Sequence, residues 1–153
     1  MSARLQLLVF RLDGQRYALA LAAVERVVRA VELTPLPGAP DLVAGAINVA
    51  GQVVPVFCIR RRLLLPQRAV APADQLLIAR TERRAVALVI DEAQGVIECD
   101  PGEVVDAEGI VPGLEPFHGV AKLGDDLVLI HDLERFLSLE ESLILDEAME
   151  RAE

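Results

Sequence analysis

The chain repeats itself. Shifted by 74 positions, the stretch from Gly45 to Leu63 overlays Gly119 to Leu137 without a gap: Gly45 falls on Gly119, Val54 on Val128, Ile59 on Leu133, Arg61 on Arg135 and Leu63 on Leu137. Shifted by 69, Leu7-Leu8-Val9 overlays Leu76-Leu77-Ile78, and each opens a hairpin that returns through an apolar strand, Tyr17 to Leu21 or Ala85 to Ile90. Each copy offers about five short strands, too few to bury a face alone. The pattern therefore predicts an all-β fold of two small β-barrels sharing one hydrophobic core.

Turn chemistry places the strands. Leu5 to Leu12 alternates with Leu8, Phe10 and Leu12 on one face, and Asp13-Gly14 follows as a hairpin signal. Val24, Val27, Val28 and Val31 suit a turn leading into a strand, and Pro35, Pro37 and Pro40 then enforce an extended loop. A second hairpin runs from Gly45 to Cys58 through Ala50-Gly51, with Pro55 demoting its second strand toward an edge or bulge. Ile59 to Leu65 reads as a short helix. A third hairpin turns at Glu82-Arg83, a strand covers Gly95 to Glu98, and Asp100 to Pro116 is the longest irregular loop. A fourth hairpin turns at Gly124-Asp125. Asp132 is an N-cap candidate, and Ser138-Leu139-Glu140-Glu141 is a capping box opening an acidic helix over 138–153.

At 153 residues the chain can bury enough surface to fold as a single domain, 1–153, without disulfide or metal. No apolar run approaches the ~20 residues that cross a bilayer, and the start lacks the apolar core of a signal peptide. A cytoplasmic protein is expected. Cys58 and Cys99 stand alone, as buried thiols do. The net charge of −9 divides unevenly: residues 1–84 carry 12 basic and 6 acidic groups, residues 85–153 carry 3 and 18. An acidic total with 3% aromatics argues against nucleic-acid binding. Arg60-Arg61-Arg62, the one dense basic run, reads as a solvated helix face or an anion site.

Catalytic raw material is thin. The chain has three Ser, two Thr and two His, with no nucleophile elbow, phosphate loop or zinc-protease motif. A two-residue turn at Gly124-Asp125 would set His118 opposite His131, but no third ligand is spaced to complete a metal shell. Asp91-Glu92 would point to opposite faces of a strand. No enzyme, cofactor or metal site is expected, and function should lie on the surface.

The series LLVFRLDGQRYAL, AVERVV, PLPGAPDLVAGAINVAGQVVPVFCIR, ALVIDEAQGVIE and FHGVAKLGDDLVLIHDLERFL resembles, in that order, the chemotaxis coupling protein family, CheW, from about Leu5 to Leu145. The densest match is Pro37 to Ile59, and a second runs through Gly119, Leu123, Gly124, Asp125, Leu127, Asp132, Leu133 and Arg135. The resemblance implies two SH3-like β-barrels and a non-catalytic adaptor joining a chemoreceptor tip to the regulatory domain of a CheA-type histidine kinase, without direct membrane insertion.

By position, the resemblance implies a kinase-binding apolar surface at Leu8, Leu21 and Val24, and a receptor-binding surface at Asn48, Ala50 and Gly51 with Arg26 nearby. Read from the residues alone, Leu8, Leu21 and Val24 equally suit core packing, and Asn48 and Gly51 suit a tight turn. The chain departs from the family pattern at Ala50, where an Arg associated with receptor binding is usual, at Arg26, where an acidic residue is common, and at Cys58. Changed charge at a contact surface alters partner choice more than affinity. A divergent paralogue is the expectation. The alternative is a stand-alone, self-associating or protein-binding module of a pilus or surface-sensing pathway that no longer binds receptors.

Overall fold

The computed structural model describes residues 4–60, 63, 65–106, 117–123, 126–134, 137 and 139–152. Strands β1 (Leu5–Leu12) and β2 (Gln15–Ala20) form the first hairpin. Asp13 and Gly14 both take positive φ, 54° and 79°, as a two-residue turn matched to strand twist requires. A short 3-10 turn, Leu21–Ala23, feeds β3 (Val24–Arg29). The chain continues through β4 (Val43–Val49), β5 (Gln52–Phe57), β6 (Gln75–Arg80), β7 (Ala85–Ile90), β8 (Glu92–Cys99), β9 (Val104–Asp106), β10 (Phe117–Leu123) and β11 (Asp126–His131) to helix α1 (Leu139–Ala152).

The strands make two sheets, ordered β8-β1-β2-β11-β10-β9 and β3-β6-β7-β5-β4. The fold is all-β with one helix, and each expected barrel is an open sheet among the described residues. The duplication is interlocked. Hairpin β1–β2 pairs in parallel with β11, Ile130 beside Ala18, while β5 pairs in parallel with β7, Val56 beside Ala87. Those positions correspond under the offsets of 69 and 74. The outer strands obey the same rule: Val28 pairs with Leu76, and Ile97 with Leu7. Even the bulges coincide, falling at Glu25 and Gln94, and at Ala44 and His118. Neither sheet can be assembled from one half alone.

Both faces of the central strands are apolar, so one core becomes three clusters. Leu8, Phe10 and Leu19 of the first sheet meet Phe57, Leu77 and Leu88 of the second in a shared core. Leu7, Val9 and Val128 fill the far face of the six-stranded sheet, and Val54, Leu76 and Ile78 that of the other. Helix α1 closes the shared core with Leu145 and Met149, and Ala148 between them is also buried. Gly45 marks a close approach, because a Cβ there would stand 2.8 Å from the Thr34 carbonyl oxygen. Thr34 and Ala46 exchange two backbone hydrogen bonds beside it.

Several local expectations need correction. β5 lies between β7 and β4, so Pro55 is not at an edge. Its partner Ala46 gives both its amide and its carbonyl to Thr34, and the parallel ladder to β7 is registered from Val56, so no bond demands the missing N–H. The described part of Ile59 to Leu65 forms irregular turns, with the Leu63 amide donating to the Ile59 carbonyl. The loop after Asp100 contains a 3-10 turn, Pro101–Glu103, and then β9. Phe117, not His118, pairs with His131, because the bulge removes His118 from the ladder. Asp132 caps a turn through the Glu134 amide, 2.9 Å away. Arg61, Arg62, the Gly124-Asp125 turn, residues 107–116 and the Ser138 cap lie outside the described residues.

Arg60 is not solvated. It is 5% exposed, and its guanidinium lies 2.8 Å from Asp91 at the end of β7 and 3.4 Å from Asp13 in the β1–β2 turn. It also donates to the Pro66 carbonyl at 3.2 Å. Arg60 thus joins a turn of one sheet to a strand end of the other. Arg68 shares Asp91 at 3.0 Å and grips buried Asp74 with two bonds, which hold the Asp74 carboxyl below its usual range.

Candidate functional site

The apolar trio divides by depth. Leu8 is 7% exposed and belongs to the shared core, flanked by Leu19 on β2 and Val96 on β8. Leu21 and Val24 are half-buried and lean on the same core from its rim. Those two present apolar surface to solvent; Leu8 can act only by supporting them.

The β4–β5 turn is built to stand out. Ala50 and Gly51 take φ of 51° and 85°, and the Asn48 side-chain oxygen accepts the Gly51 amide at 2.9 Å. Asn48, Ala50 and Gly51 are all exposed. Arg26 is exposed too, but it sits on β3, at the opposite edge of the five-stranded sheet from β4. Three strands, each step about 4.8 Å wide, lie between. Arg26 and Ala50 do not form one patch.

The groups beside the turn come from elsewhere. Because β5 and β7 are parallel, their starting ends share one end of the sheet, and the β6–β7 hairpin turns there as well. Arg80, Arg83 and Arg84 from that hairpin line a cleft of about 530 Å³ with Gly51, Gln52 and Val53. Arg83 reaches Asp146 of α1 at 2.6 Å, Arg84 contacts the same carboxylate, and Arg80 lies 3.6 Å from Glu25. Sequence reasoning passed over these arginines. The available signal was three of the first half's twelve basic residues flanking a single hairpin turn.

Among the described residues, no group of three or more His, Cys, Asp or Glu side chains is placed to hold a metal ion. No helix is long and apolar enough to cross a membrane. Burial lowers the His131 pKa to about 4 and raises the Tyr17 hydroxyl, and the nearby charges of Asp132 and Asp13 act less strongly. These shifts belong to core packing and not to an open site.

A sequence model of the CheW-like domain matches residues 6–141. The chemotaxis protein CheW of Treponema pallidum is 25% identical over 142 residues, covering 89% of this chain and 84% of the relative. The CheW of Bacillus subtilis is 30% identical over 106 residues, covering 69% and 68%. In structure, the scaffolding protein TtCheW of Thermoanaerobacter tengcongensis superposes with a TM-score of 0.82 at 23% identity, covering 91% of this chain and 96% of that one.

Proposed function

This chain belongs to the family of CheW-like domains, and from that premise we propose that it is a non-catalytic adaptor of a bacterial chemosensory complex. It works in the cytoplasm as one domain, binding the regulatory domain of a CheA-type histidine kinase and the cytoplasmic tip of a chemoreceptor. The observation that carries the reading is the family match, which runs through both sheets and leaves out only the chain ends. Leu21 and Val24 form the kinase-facing rim, held up by Leu8; Asn48, Ala50 and Gly51 form the receptor-facing turn. Arg26, on the far edge of the sheet, is a separate contact.

Titration of the purified chain with the cognate kinase regulatory domain, at tens of micromolar, tests the proposal. Heat or chemical-shift changes centred on Leu21 and Val24 are expected, and Val24→Asp should remove them without unfolding the chain. A flat titration sinks the kinase half of the reading. A second reading, a module of a pilus or surface-sensing pathway that no longer binds receptors, is favoured by Ala50, which puts no cation on the turn. Failure of the chain to compete with an ordinary coupling protein for receptor, restored by Ala50→Arg, would select it.

A further inference from the structure

The cleft beside the β4–β5 turn is lined by three arginines and, among the described residues, by no carboxylate. Arg83 and Arg84 converge on the single carboxylate of Asp146, and Arg80 has Glu25 only at a looser 3.6 Å. Arg83 and Arg84 also border a second cleft on their other flank, and Glu82, Glu134 and Asp146 line that one. On the turn side, three guanidinium groups therefore border a cleft whose described lining holds no carboxylate. The side chains of Arg80 and Arg83 are 58% and 59% exposed, so their forks remain open to a partner. Gly51 contributes no side chain to the opposite wall, and a Cβ built there would meet nothing within 4 Å. A bulky segment can therefore approach the arginines from the turn side.

We infer that this cleft receives an acidic segment of the chemoreceptor, and that Arg80 and Arg83 are the residues that select it. The inference rests on the proposed reading that the β4–β5 turn faces the receptor, and it assigns the recognition charge to the neighbouring hairpin. Guanidinium groups suit the task because their planar donors match a carboxylate in two-point geometry. Asp146 already occupies the arginine pair as an internal carboxylate. It weakens the pull on an external one and prevents two like charges from repelling each other when no partner is bound.

The test uses the full chain and a soluble cytoplasmic fragment of a chemoreceptor from the same cell, with affinity measured at 50 and 200 mM salt. Arg80→Gln and Arg83→Gln should each weaken binding about fivefold, as lost exposed or partly desolvated ion pairs do. Asp146→Asn should act in the opposite direction, tightening binding about two- to fivefold, because it frees both arginines. The double arginine variant should also lose most of the salt sensitivity. A merely structural role would make Arg83→Gln and Asp146→Asn weaken binding together, and that result overturns the inference. So does a double variant that binds within twofold of the parent. If the unaltered chain binds no receptor fragment, the receptor reading falls and the inference with it, whereas a normal parent with unaffected variants removes the inference alone. The Arg80 ion pair is with Glu25 and not with Asp146, so Arg80→Gln remains informative even if the Asp146 variant loosens the helix.

Discussion

Val27 and Val96 hold the same place in the two halves of the chain, yet one is packed and the other is bare. Val27 pairs with Leu77 and Val96 with Leu8, positions that correspond under the offset of 69. Val27 leans on the shared core, while Val96 is 51% exposed. Replacing each by Thr, which keeps the branched shape and adds a hydroxyl, should separate them. Val27→Thr is expected to cost about 1–2 kcal/mol, because the hydroxyl is partly desolvated. Val96→Thr should stay within about 0.5 kcal/mol. Denaturant midpoints would show this, and equal losses at both sites would contradict the asymmetry.

The alternation and the Asp13-Gly14 turn were legible because each is a local property of neighbouring residues, and the repeat because two stretches of sequence can be compared without knowing how either folds. The exchange of strands between halves was not. An offset says which segments are alike, but not whether β3 pairs within its own copy or with β6 of the other. Arg60 misled for the same reason. Three consecutive arginines look solvated until Asp13 and Asp91, remote in sequence, are brought to the first of them. His118 slipped because a bulge adds one residue that no alternation announces. At the site, the turn bearing Ala50 was visible from its glycine, whereas its nearness to Arg83 depends on the parallel pairing of β5 with β7.

Ala50 stands in left-handed backbone with φ of 51°, a region that costs an L-residue with a Cβ about 1–2 kcal/mol. Ala50→Gly relieves that cost and returns part of it as unfolded-state freedom. The expected net gain is about 0.5–1 kcal/mol, seen as a rise of about 1–4 °C in Tm. Ala50→Val should move the midpoint the other way, since β-branching is least tolerated at positive φ. A Val variant as stable as the parent would mean that the turn relaxes and holds no strain.

Arg60 should be among the most sensitive of the described charged residues. Its side chain is 6% exposed, and its guanidinium ties Asp13, Asp91 and the Pro66 carbonyl together across the two sheets. Arg60→Met keeps the stem and removes the charge, leaving Asp91 with Arg68 as its remaining cation among the described residues. A loss of about 2–4 kcal/mol is expected, somewhat below the figure for breaking a fully buried pair because Asp91 and Asp13 keep some exposure. Adding Asp91→Asn should recover part of it, because the more buried of the two carboxylates that Arg60 serves is then neutral and only the more exposed Asp13 has lost its partner. A double-mutant cycle measures the coupling directly, and a coupling near zero would reduce Arg60 to a packing residue.

His131 sets the acid side of the stability profile. Burial lowers its pKa to about 4 from an ordinary value of 6.5, so the unfolded chain takes up a proton in a pH range where the folded chain does not. Its contribution is complete above pH 6.5 and declines as pH falls toward 4. At about 1.4 kcal/mol per pH unit, the loss between pH 7.5 and 5 is about 2 kcal/mol. Asp74 acts in a different window. Its pKa is lowered chiefly by the hydrogen bonds from Arg68, so its contribution persists above 3.8 and is lost only as pH falls below that. The two are therefore separable by titration. Phe57 fills the position equivalent to His131 in the other half, which makes His131→Phe the natural variant. Urea unfolding at pH 7.5 and 5 should show the parent losing about 2 kcal/mol more than that variant. Equal losses would place the acid sensitivity among the carboxylates instead.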